Sequence, residues 1–339
     1  MTKIGINTLF KFNKSALALV VSSSFLLMAC DNDDDKSSNS DPVAFNLSVS
    51  DAPVDNASEV VVCFSEITLK KDGEVIQLPL KTNDDVVQPV GAYECLDADG
   101  MPINENLAIN LLGAQGSESI EISETIDVEP GEYQMRVAVP DFSGSYVMTD
   151  EDGDGTDEKV LVEVPSEELK FSKFTVTQGG AANFTLEFDL RKSMNIPNKE
   201  GAAWHLKPNG VRLIDNNEAG HIAGIVSESL LCTDESGIET PTFVYLYVGS
   251  ESDASLLGDM HYNEQGAYIG DGIEPLASTE VLTEVQSDGS YEIGFVATGE
   301  HTLALTCSDD IPDVADVMNF TNLQLLTVEK GNNELSFTE

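Results

Sequence analysis

The feature that most constrains this chain is an alternation of apolar and polar residues that recurs from residue 43 onward. It begins with Val43, Phe45, Leu47 and Val49, which alternate with small or polar residues. Successive side chains of a β-strand point to opposite faces of the sheet, so a period of two predicts a strand with one buried face. No long segment with the period of a helix competes with this pattern. The predicted fold class is therefore all-β.

Runs of this kind continue with turn residues between them, and they fall into two series. The first series occupies residues 43–215 and the second occupies residues 220–339, with a polar segment at the junction. About 120 residues are enough to bury a separate core. We therefore predict two β-sandwich domains.

The same pattern gives several local predictions. Residues 60–69 read as one strand, with Val61, Cys63, Ile67 and Leu69 on one face. Asp51 is expected to open a turn that ends the first strand, and Asp72-Gly73 is typical of a hairpin. The short apolar run at 107–112 fits either a strand or a helical turn.

The first 29 residues have the three parts of a bacterial export signal. Three lysines supply the charge, and residues 16–27 supply an apolar run that is shorter than the about 20 residues of a membrane span. Leu27-Met28-Ala29-Cys30 then resembles the lipobox of bacterial lipoproteins, in which the cysteine is acylated and becomes the first mature residue. The alternative is an ordinary cleaved signal that contains a cysteine.

Acylation of Cys30 would make the membrane a partner through the lipid anchor. Residues 30–42 are rich in Asp and Ser and read as a disordered tether. The predicted location is the bacterial cell envelope, on the outer membrane or on the periplasmic face of the inner membrane. Asp31 directly follows the cysteine, a position that influences sorting in enterobacteria-like systems, so both membranes stay open.

The chain is strongly acidic, with 60 acidic residues against 17 basic ones and a formal net charge of −43. Removal of residues 1–29 takes away three lysines and no acid, which makes the charge −46. Phosphates would repel such a chain, so we expect no nucleic acid among its partners. Acidity of this degree suits solubility, tolerance of salt or binding of cations.

Four further cysteines lie in the two β series. An even number in an exported chain favours disulfides. Two of them lie early and two lie late, so the economical pairing is Cys63–Cys95 and Cys232–Cys307. No pair has the CxxC spacing of a redox or zinc site.

Five short motifs follow one another through the first series: LSVSDAP at 47–53, INLL at 109–112, PGEYQMR at 130–136, LEFDLRKS at 186–193 and LKP at 206–208. As an ordered set they resemble domain-of-unknown-function family 4382, which occurs on bacterial envelope lipoproteins. This resemblance covers most of residues 43–215. It brings no established activity with it.

Three motifs of the second series are GHIAGIV at 220–226, DGSYEI at 288–293 and GEHTL at 299–303. They resemble a carboxypeptidase-regulatory-like domain, which is a transthyretin-like, immunoglobulin-like sandwich. His301 stands where that family usually has an aromatic residue. The resemblance implies an accessory module for scaffolding or binding rather than a catalyst.

An acidic loop at residues 150–158 is the best chemical candidate in the chain. Calcium takes six to eight oxygen ligands, and acids at alternate positions around a glycine turn converge on one ion. The candidate ligands lack the flanking helices and the bidentate Glu of an EF-hand, and a solvated acidic hairpin is the alternative. They are Asp150, Asp152, Asp154, Asp157 and Glu158.

No catalytic set is present in the sequence. The serines lack the context of a nucleophile elbow, and the four histidines have no metal-binding spacing. Arg136, Glu187 and Asp189 each lie opposite the apolar face of a strand, so we expect strand-to-strand ion pairs there. Asp97-Ala98-Asp99-Gly100 is more typical of a turn than of a calcium site.

These observations predict a non-catalytic envelope lipoprotein with a structural or ligand-binding role, whose partner is an envelope protein or a polysaccharide. The alternative is a calcium-dependent adhesin or polysaccharide-binding surface protein. A hydrolase that uses acidic residues is a weaker third hypothesis, because no motif pairs the acids.

Overall fold

The structure is a computed structural model in which no described helix is long and apolar enough to cross a membrane. The predicted signal, Cys30 and the first part of the tether lie outside the described residues. The described residues are 41–52, 57–88, 93–97, 99–140, 143–150, 153–195, 202–263, 266–283, 289–308, 310 and 314–338.

The chain is 51% strand and 6% helix, and its sheets form sandwich-like domains, which confirms the all-β prediction. One turn of α-helix, α1 (Leu190–Ser193), lies among the strands of the first set. These strands are β1 (Val43–Ala52), β2 (Glu59–Phe64), β3 (Glu66–Lys71), β4 (Glu74–Leu78), β5 (Leu107–Asn110), β6 (Ile120–Glu121), β7 (Ile126–Val128), β8 (Gly131–Ala138), β9 (Tyr146–Thr149), β10 (Glu158–Glu163), β11 (Glu168–Lys170), β12 (Phe174–Val176), β13 (Ala182–Asp189), β14 (Met194–Asn195), β15 (Trp204–Leu206) and β16 (Val211–Asp215).

The second set of strands follows directly after β16. Four 3₁₀ turns complete the described secondary structure, at Leu111–Gly113, Pro208–Gly210, Glu228–Leu230 and Ala254–Leu256. The strands are β17 (Ala219–Ile225), β18 (Phe243–Val248), β19 (Ala277–Glu280), β20 (Ser290–Ala297), β21 (Gly299–Thr306), β22 (Thr321–Val328) and β23 (Gly331–Glu334).

The two sets share no strand pairing within the described residues. The first set forms three sheets, ordered β16-β13-β1-β6 with β7 also on β1, β14-β15-β10-β9-β2-β5, and β11-β8-β3-β4 with β12 also on β8. The second set forms two sheets, β20-β17-β23 and β19-β18-β21-β22. β1 and β13 run parallel, so both end at the same edge of their sheet.

Each set of strands surrounds its own apolar core. Apolar side chains of all three sheets in the first set meet in one cluster. In the second set a core lies between the two sheets, and a further apolar layer covers the outer face of β18, β21 and β22. The residues of that outer layer are Phe243, Tyr245, Tyr247, Leu257, Met260, Tyr262, Ala304 and Phe320.

Residues 60–69 do not form the single strand that the alternation predicts. The chain breaks at Ser65, and β2 and β3 lie in different sheets. Val61 and Cys63 face a small separate cluster, whereas Ile67 and Leu69 face the main core. β2 is buried on both faces, so its apolar residues fall on consecutive positions and the alternation does not show where the chain changes sheets.

Other local predictions have mixed outcomes. The hairpin at Asp72-Gly73 is confirmed, with positive φ at both residues as a type I′ turn requires. The run at 107–112 is a strand followed by a 3₁₀ turn. The predicted turn at Asp51 is wrong, because β1 continues to Ala52 and pairs with β13 along its length.

Both predicted disulfides are present. Cys63 and Cys95 have Cα atoms 5.9 Å apart and lie in the small cluster with Tyr93 and Tyr146. Cys232 and Cys307 have Cα atoms 5.6 Å apart and join the start of the second set to the end of β21. Each bridge closes a loop within one set of strands.

The two sets are packed closely against each other at β20. A Cβ atom on Gly294 would lie only 1.8 Å from the carbonyl oxygen of Gly116. Beside this contact, Glu292 Oε1 accepts a hydrogen bond from Ser117 N at 2.7 Å. Glycine at 294 is therefore required by close approach of two backbones, since its φ is not in the left-handed region.

Gly294→Ala should lower the free energy of unfolding by about 1–3 kcal/mol, because the added methyl group overpacks this contact. Gly180→Ala is the matched control, since nothing lies within 4 Å of the position where its Cβ would be. Urea unfolding followed by tryptophan fluorescence measures both variants. Equal unfolding midpoints for the two variants would contradict the close packing.

Candidate functional site

The motif LEFDLRKS forms the end of β13 and the turn α1, where several charged side chains are buried together. Asp189 is the N-cap of this turn, and its Oδ1 accepts a hydrogen bond from Lys192 N at 3.1 Å. Ser193 Oγ donates to the carbonyl oxygen of Asp189 at 2.8 Å. Capping by a carboxylate turns the strand into a helical turn, and the turn directs Arg191 and Lys192 away from β13.

Two of these side chains reach β19 of the second set. Asp189 Oδ2 accepts a hydrogen bond from Ser278 N at 3.2 Å, and Arg191 Nη1 donates to Ser278 Oγ at 3.1 Å. The guanidinium carbon of Arg191 lies 3.9 Å from the centre of the Phe243 ring, a cation–π contact. Ser278 is therefore hydrogen-bonded to both the carboxylate of Asp189 and the guanidinium of Arg191.

Lys192 makes a third connection, to the segment before β19. Its Nζ lies 3.0 Å from Glu274 Oε1 and 3.1 Å from the carbonyl oxygen of Pro275. The Tyr262 ring centre is 5.1 Å from the same nitrogen, and the Tyr262 hydroxyl donates to Glu274 at 3.2 Å. The group that joins the two sets, which we call the polar joint, consists of Asp189, Arg191, Lys192, Phe243, Glu274 and Ser278.

Glu187 forms the strand-to-strand ion pair that its position predicts. It is 1% exposed and lies opposite Arg212 in the register of β13 and β16, with Arg212 Nη2 2.6 Å from its Oε2. Burial raises the pKa of Glu187 to about 7, against the opposing effect of the guanidinium. Arg136 likewise pairs with Glu168 on β11, at 3.5 Å.

Asp189 takes part in the polar joint rather than in a simple ion pair between strands. Burial raises the pKa of Asp189, while Lys192 lowers it. Its carboxylate accepts backbone hydrogen bonds from both sets of strands, from Lys192 N and Ser278 N. The prediction of a strand-to-strand pair is therefore wrong for this residue, because the turn after β13 brings a second partner within reach.

The carboxyl group of Asp51 is buried beside Glu187 and Asp189. It is 1% exposed, and neither carboxyl oxygen has a hydrogen-bond partner in the described part of the chain. Burial raises its pKa well above the ordinary range, and the charges of Glu187 and Asp189 raise it further. A protonated Asp51 avoids an isolated buried charge.

A second buried acid, Asp310, stabilises the outer apolar layer of the second set. Its Oδ2 accepts hydrogen bonds from the Tyr245 hydroxyl and from Met260 N, each at 2.9 Å. Burial raises the pKa of Asp310 to about 6. Asp310 therefore links Tyr245 on β18 to Met260, which lies in the segment that packs over this strand.

An open acidic cleft of about 230 Å³ lies next to that layer. Asp259 Oδ2 accepts a hydrogen bond from Asp316 N at 2.7 Å, so one carboxylate organises the rim. Among the described residues, no three acids, histidines or cysteines are arranged to hold a metal ion. The lining consists of Leu257, Gly258, Asp259, His261, Ile269, Asp271, Ala315, Asp316 and Met318.

Residues 153–158 of the predicted calcium loop are exposed, and Asp150, which is half-buried, organises the turn that precedes them. Asp150 Oδ1 accepts a hydrogen bond from Asp154 N at 3.0 Å, and Asp150 Oδ2 accepts one from Gly155 N at 2.9 Å. Asp157 accepts from the Ser58 hydroxyl, and Glu158 begins β10. Asp152 lies outside the described residues. Calcium binding by this loop stays a prediction.

Sequence reasoning found the polar residues of the first set but missed their partners in the second. Ser278 and Glu274 belong to no motif, and no local signal marks them. Asp51, which the sequence predicts in a turn, lies on an otherwise apolar face of β1, and this position is the signal that marks it as a buried acid. His301 is buried, as a packed imidazole would be, with Nδ1 3.1 Å from the Gly299 carbonyl oxygen.

Comparison with known families supports the assignment of the first region. Residues 43–208 match the model of the family described as Domain of unknown function (DUF4382). This match supports the resemblance of the N-terminal region to DUF4382. No curated protein matches the chain. The carboxypeptidase-regulatory-like assignment of the second region and the lipoprotein assignment stay predictions.

Several solved structures show remote similarity. A streptococcal ancillary pilin is 8% identical over 87% of this chain and 68% of its own, with a TM-score of 0.19. BcpA, the major pilin subunit of Bacillus cereus, is 7% identical over 87% and 70%, with a TM-score of 0.15. A fimbrial anchor protein from Porphyromonas gingivalis is 9% identical over 85% and 99%, with a TM-score of 0.17. Scores this low establish neither a shared fold nor a shared function.

The buried acids predict a stability that falls as pH rises. The folded pKa values of Asp51, Glu187, Asp189 and Asp310 are all raised, so their contribution is full below about pH 4. For Asp310 and Glu187 that contribution is lost as pH rises through about 6 and about 7, respectively. Each group that is protonated only in the folded chain lowers the free energy of unfolding by about 1.4 kcal/mol per pH unit. Urea unfolding between pH 5 and 8 should show the decline.

Asp51→Asn should flatten this pH dependence, because the amide does not titrate. Asp127→Asn, which changes an exposed acid on β7, is the control and should leave the slope unchanged. Equal slopes for the wild type and Asp51→Asn would show that Asp51 is ionised in the folded chain.

Proposed function

We propose that this protein is a non-catalytic lipoprotein of the bacterial cell envelope with a structural or ligand-binding role. The observation that carries the proposal is the polar joint. Catalytic acids, bases and nucleophiles must reach a substrate. Here Asp189, Arg191 and Lys192 are buried, and their charged ends contact protein atoms of the second set of strands.

The joint supports a mechanical role in which the two β regions act as one rigid body. A buried cation or carboxylate that lost its partner would cost several kcal/mol, so separation of the regions is opposed by three charged side chains at once. Gly294 adds a contact between backbones at β20. A rigid body suits a protein that presents a surface to an envelope protein or to a polysaccharide.

The envelope location rests on the amino terminus and on the cysteines. Disulfides persist in oxidising compartments, and both bridges of this chain lie in strands or in the loops that join them. Acylation of Cys30 would attach the body to a membrane through a short acidic tether. The formal charge of −46 after removal of residues 1–29 supports a body that stays soluble at the end of this tether.

Cys30→Ser should move the protein from the membrane fraction to the soluble fraction of bacterial cells, because the thiol that carries the lipid is gone. Ser40→Ala, a neutral change in the tether, should leave the protein in the membrane fraction. Immunoblots of the two fractions and the mass of the amino-terminal peptide provide the measurement. A Cys30→Ser variant that stays with membranes would contradict lipid attachment.

The non-catalytic part of the proposal has its own test. We expect no turnover when the purified protein is offered panels of glycans, esters and peptides. If one substrate is turned over, and Lys192→Met abolishes this turnover without lowering the unfolding midpoint, the polar joint is an active site and the proposal is wrong.

A calcium-dependent adhesin or polysaccharide-binding protein is the second candidate. The observation that favours it is that the Asp150 carboxylate accepts backbone hydrogen bonds from Asp154 and Gly155, which holds the acidic positions 150 and 154 close to each other. Calcium prefers such oxygen-rich loops, and extracellular sites work at millimolar concentration.

Calorimetry with calcium chloride should then show uptake at millimolar concentration by the wild type. Asp150→Asn combined with Asp154→Asn should weaken this uptake at least tenfold, because two charged ligands are lost. Asp234→Asn changes a similar loop whose aspartate also accepts two backbone hydrogen bonds, and it should have no effect. No uptake by the wild type would remove this candidate.

A further inference from the structure

One exposed face of the first set of strands is cationic, although the chain as a whole is strongly acidic. It is the outer face of the sheet β11-β8-β3-β4. Ile67 and Leu69 point into the core from β3, so the alternate residues Thr68 and Lys70 lie on the opposite face. Residues in register on the neighbouring strands share that face with them.

Two adjacent rows of this face contain three cations and no acid. The first row crosses four strands, and the second crosses three. Lys70, Arg136 and Lys170 are all exposed. The seven residues, which we call the cationic face, are Lys170, Arg136, Thr68 and Gln77 in the first row and Gln134, Lys70 and Val75 in the second.

A third row, beside the first, supplies two carboxylates. Glu168, Ala138 and Glu66 follow one another across β11, β8 and β3. Glu168 lies 3.5 Å from Arg136 Nη1 and 2.6 Å from Lys170 Nζ. Exposed ion pairs of this kind contribute only about 0–1 kcal/mol, so both cations can exchange this partner for a ligand. An open groove of about 390 Å³ is lined by Ala138 and by residues of all three rows.

Lys70 differs from other lysines of the described chain. Lys71, Lys81 and Lys330 each form an ion pair with a glutamate. Lys70 forms no ion pair with a described residue, although 60 of the residues in this chain are acidic. Its charge is therefore available to an anion from outside.

The three cations fit a ligand that carries several carboxylates. The guanidinium of Arg136 can hold a carboxylate through two parallel hydrogen bonds. Lys70 and Lys170 add point charges on the two strands that flank Arg136. Because the charges lie on three neighbouring strands, a ligand with carboxylates repeated along its length can meet more than one of them.

The other groups of the face and groove fit sugar rings. The carboxylates of Glu66 and Glu168 accept hydrogen bonds, and the amides of Gln77 and Gln134 both donate and accept them, so all four can bind hydroxyl groups. Val75 is 64% exposed and offers apolar contact to the C–H groups of a ring. This combination matches a sugar acid better than a simple anion.

Two other anionic polymers fit this face less well. An extended peptide binds at the edge of a sheet, where its backbone can pair, and this pairing is not offered by a face. Single-stranded nucleic acid relies on aromatic stacking, and the cationic face contains no aromatic residue. Charges more than about 8 Å away are screened at physiological salt, so a ligand on the face responds to its cations more than to the net charge of the body.

We propose that the cationic face binds an acidic polysaccharide, in which carboxylates recur along a chain of sugars. The sugar chain lies across the strands, along the row that contains Lys170, Arg136 and Thr68. This inference deepens the ligand-binding part of the proposed function and rests on that part alone, since it needs no lipid anchor.

Calorimetry of the full chain in a nonionic detergent, with an oligogalacturonate as the probe, tests the proposal. In sodium chloride of about 150 mM, where the Debye length is about 8 Å, the wild type should bind this probe. The same oligosaccharide with methyl-esterified carboxylates should bind at least tenfold more weakly. Equal affinity for the ester would overturn the proposal. Dextran sulfate or polyglutamate that binds as tightly as the oligogalacturonate would also overturn it, as a general anion surface or a peptide site.

Thr68→Glu should weaken binding at least tenfold, because a new carboxylate would lie in the row that holds the ligand. Thr327→Glu makes the same change at an exposed position of β22 and should leave the affinity unchanged. Lys70→Gln should weaken binding at least fivefold, whereas Lys330→Gln removes a positive charge from an exposed ion pair elsewhere and should not.

Unfolding midpoints equal to that of the wild type show that these variants fold. If Thr68→Glu lowers the midpoint, the exposed pair Lys70→Gln and Lys330→Gln decides. Equal affinities within that pair, or no binding by the wild type, would overturn the proposal.

An assay for reducing ends separates this inference from the proposed function. Binding with cleavage of the oligogalacturonate would support the cationic face and contradict the non-catalytic role. No binding, together with attachment to membranes through Cys30, would overturn this inference and leave the envelope role intact.

Discussion

The structure depends on the burial of three charged side chains at the end of β13. Asp189, Arg191 and Lys192 lie on one helical turn, and each completes its contacts with atoms of the second set of strands. An unpaired charge in a protein interior is expensive, whereas a charge with hydrogen bonds and a counter-charge is tolerated. Separation of the two sets would leave these charged groups without their partners, so the polar joint opposes it.

The same constraint explains the contrast between the acids near the joint. Glu187 faces Arg212, and Asp189 caps a helical turn and accepts a bond from Ser278. Neither carboxyl oxygen of Asp51 has a hydrogen-bond partner among the described residues, and burial raises its pKa well above the ordinary range.

Much of the fold follows from local patterns in the sequence. The alternation at Val43–Val49 predicts β1 because one face of a strand must be apolar, and positive φ at Asp72-Gly73 follows from the needs of a tight hairpin. The break at Ser65 has no local signal, since a strand buried on both faces has no alternation. The parallel pairing of β1 with β13 has none either, because it joins segments far apart in the sequence.

The sequence by itself determined the all-β class, the DUF4382 resemblance of residues 43–208, both disulfide pairs and the acidity of the chain. Each of these depends on residue type and spacing along the chain. The tertiary structure alone decided which groups meet, because Arg191 and Ser278 are separated by 87 positions and Lys192 and Glu274 by 82. Charged residues of a motif show that partners are required, but only the packing of two sets of strands supplies those partners.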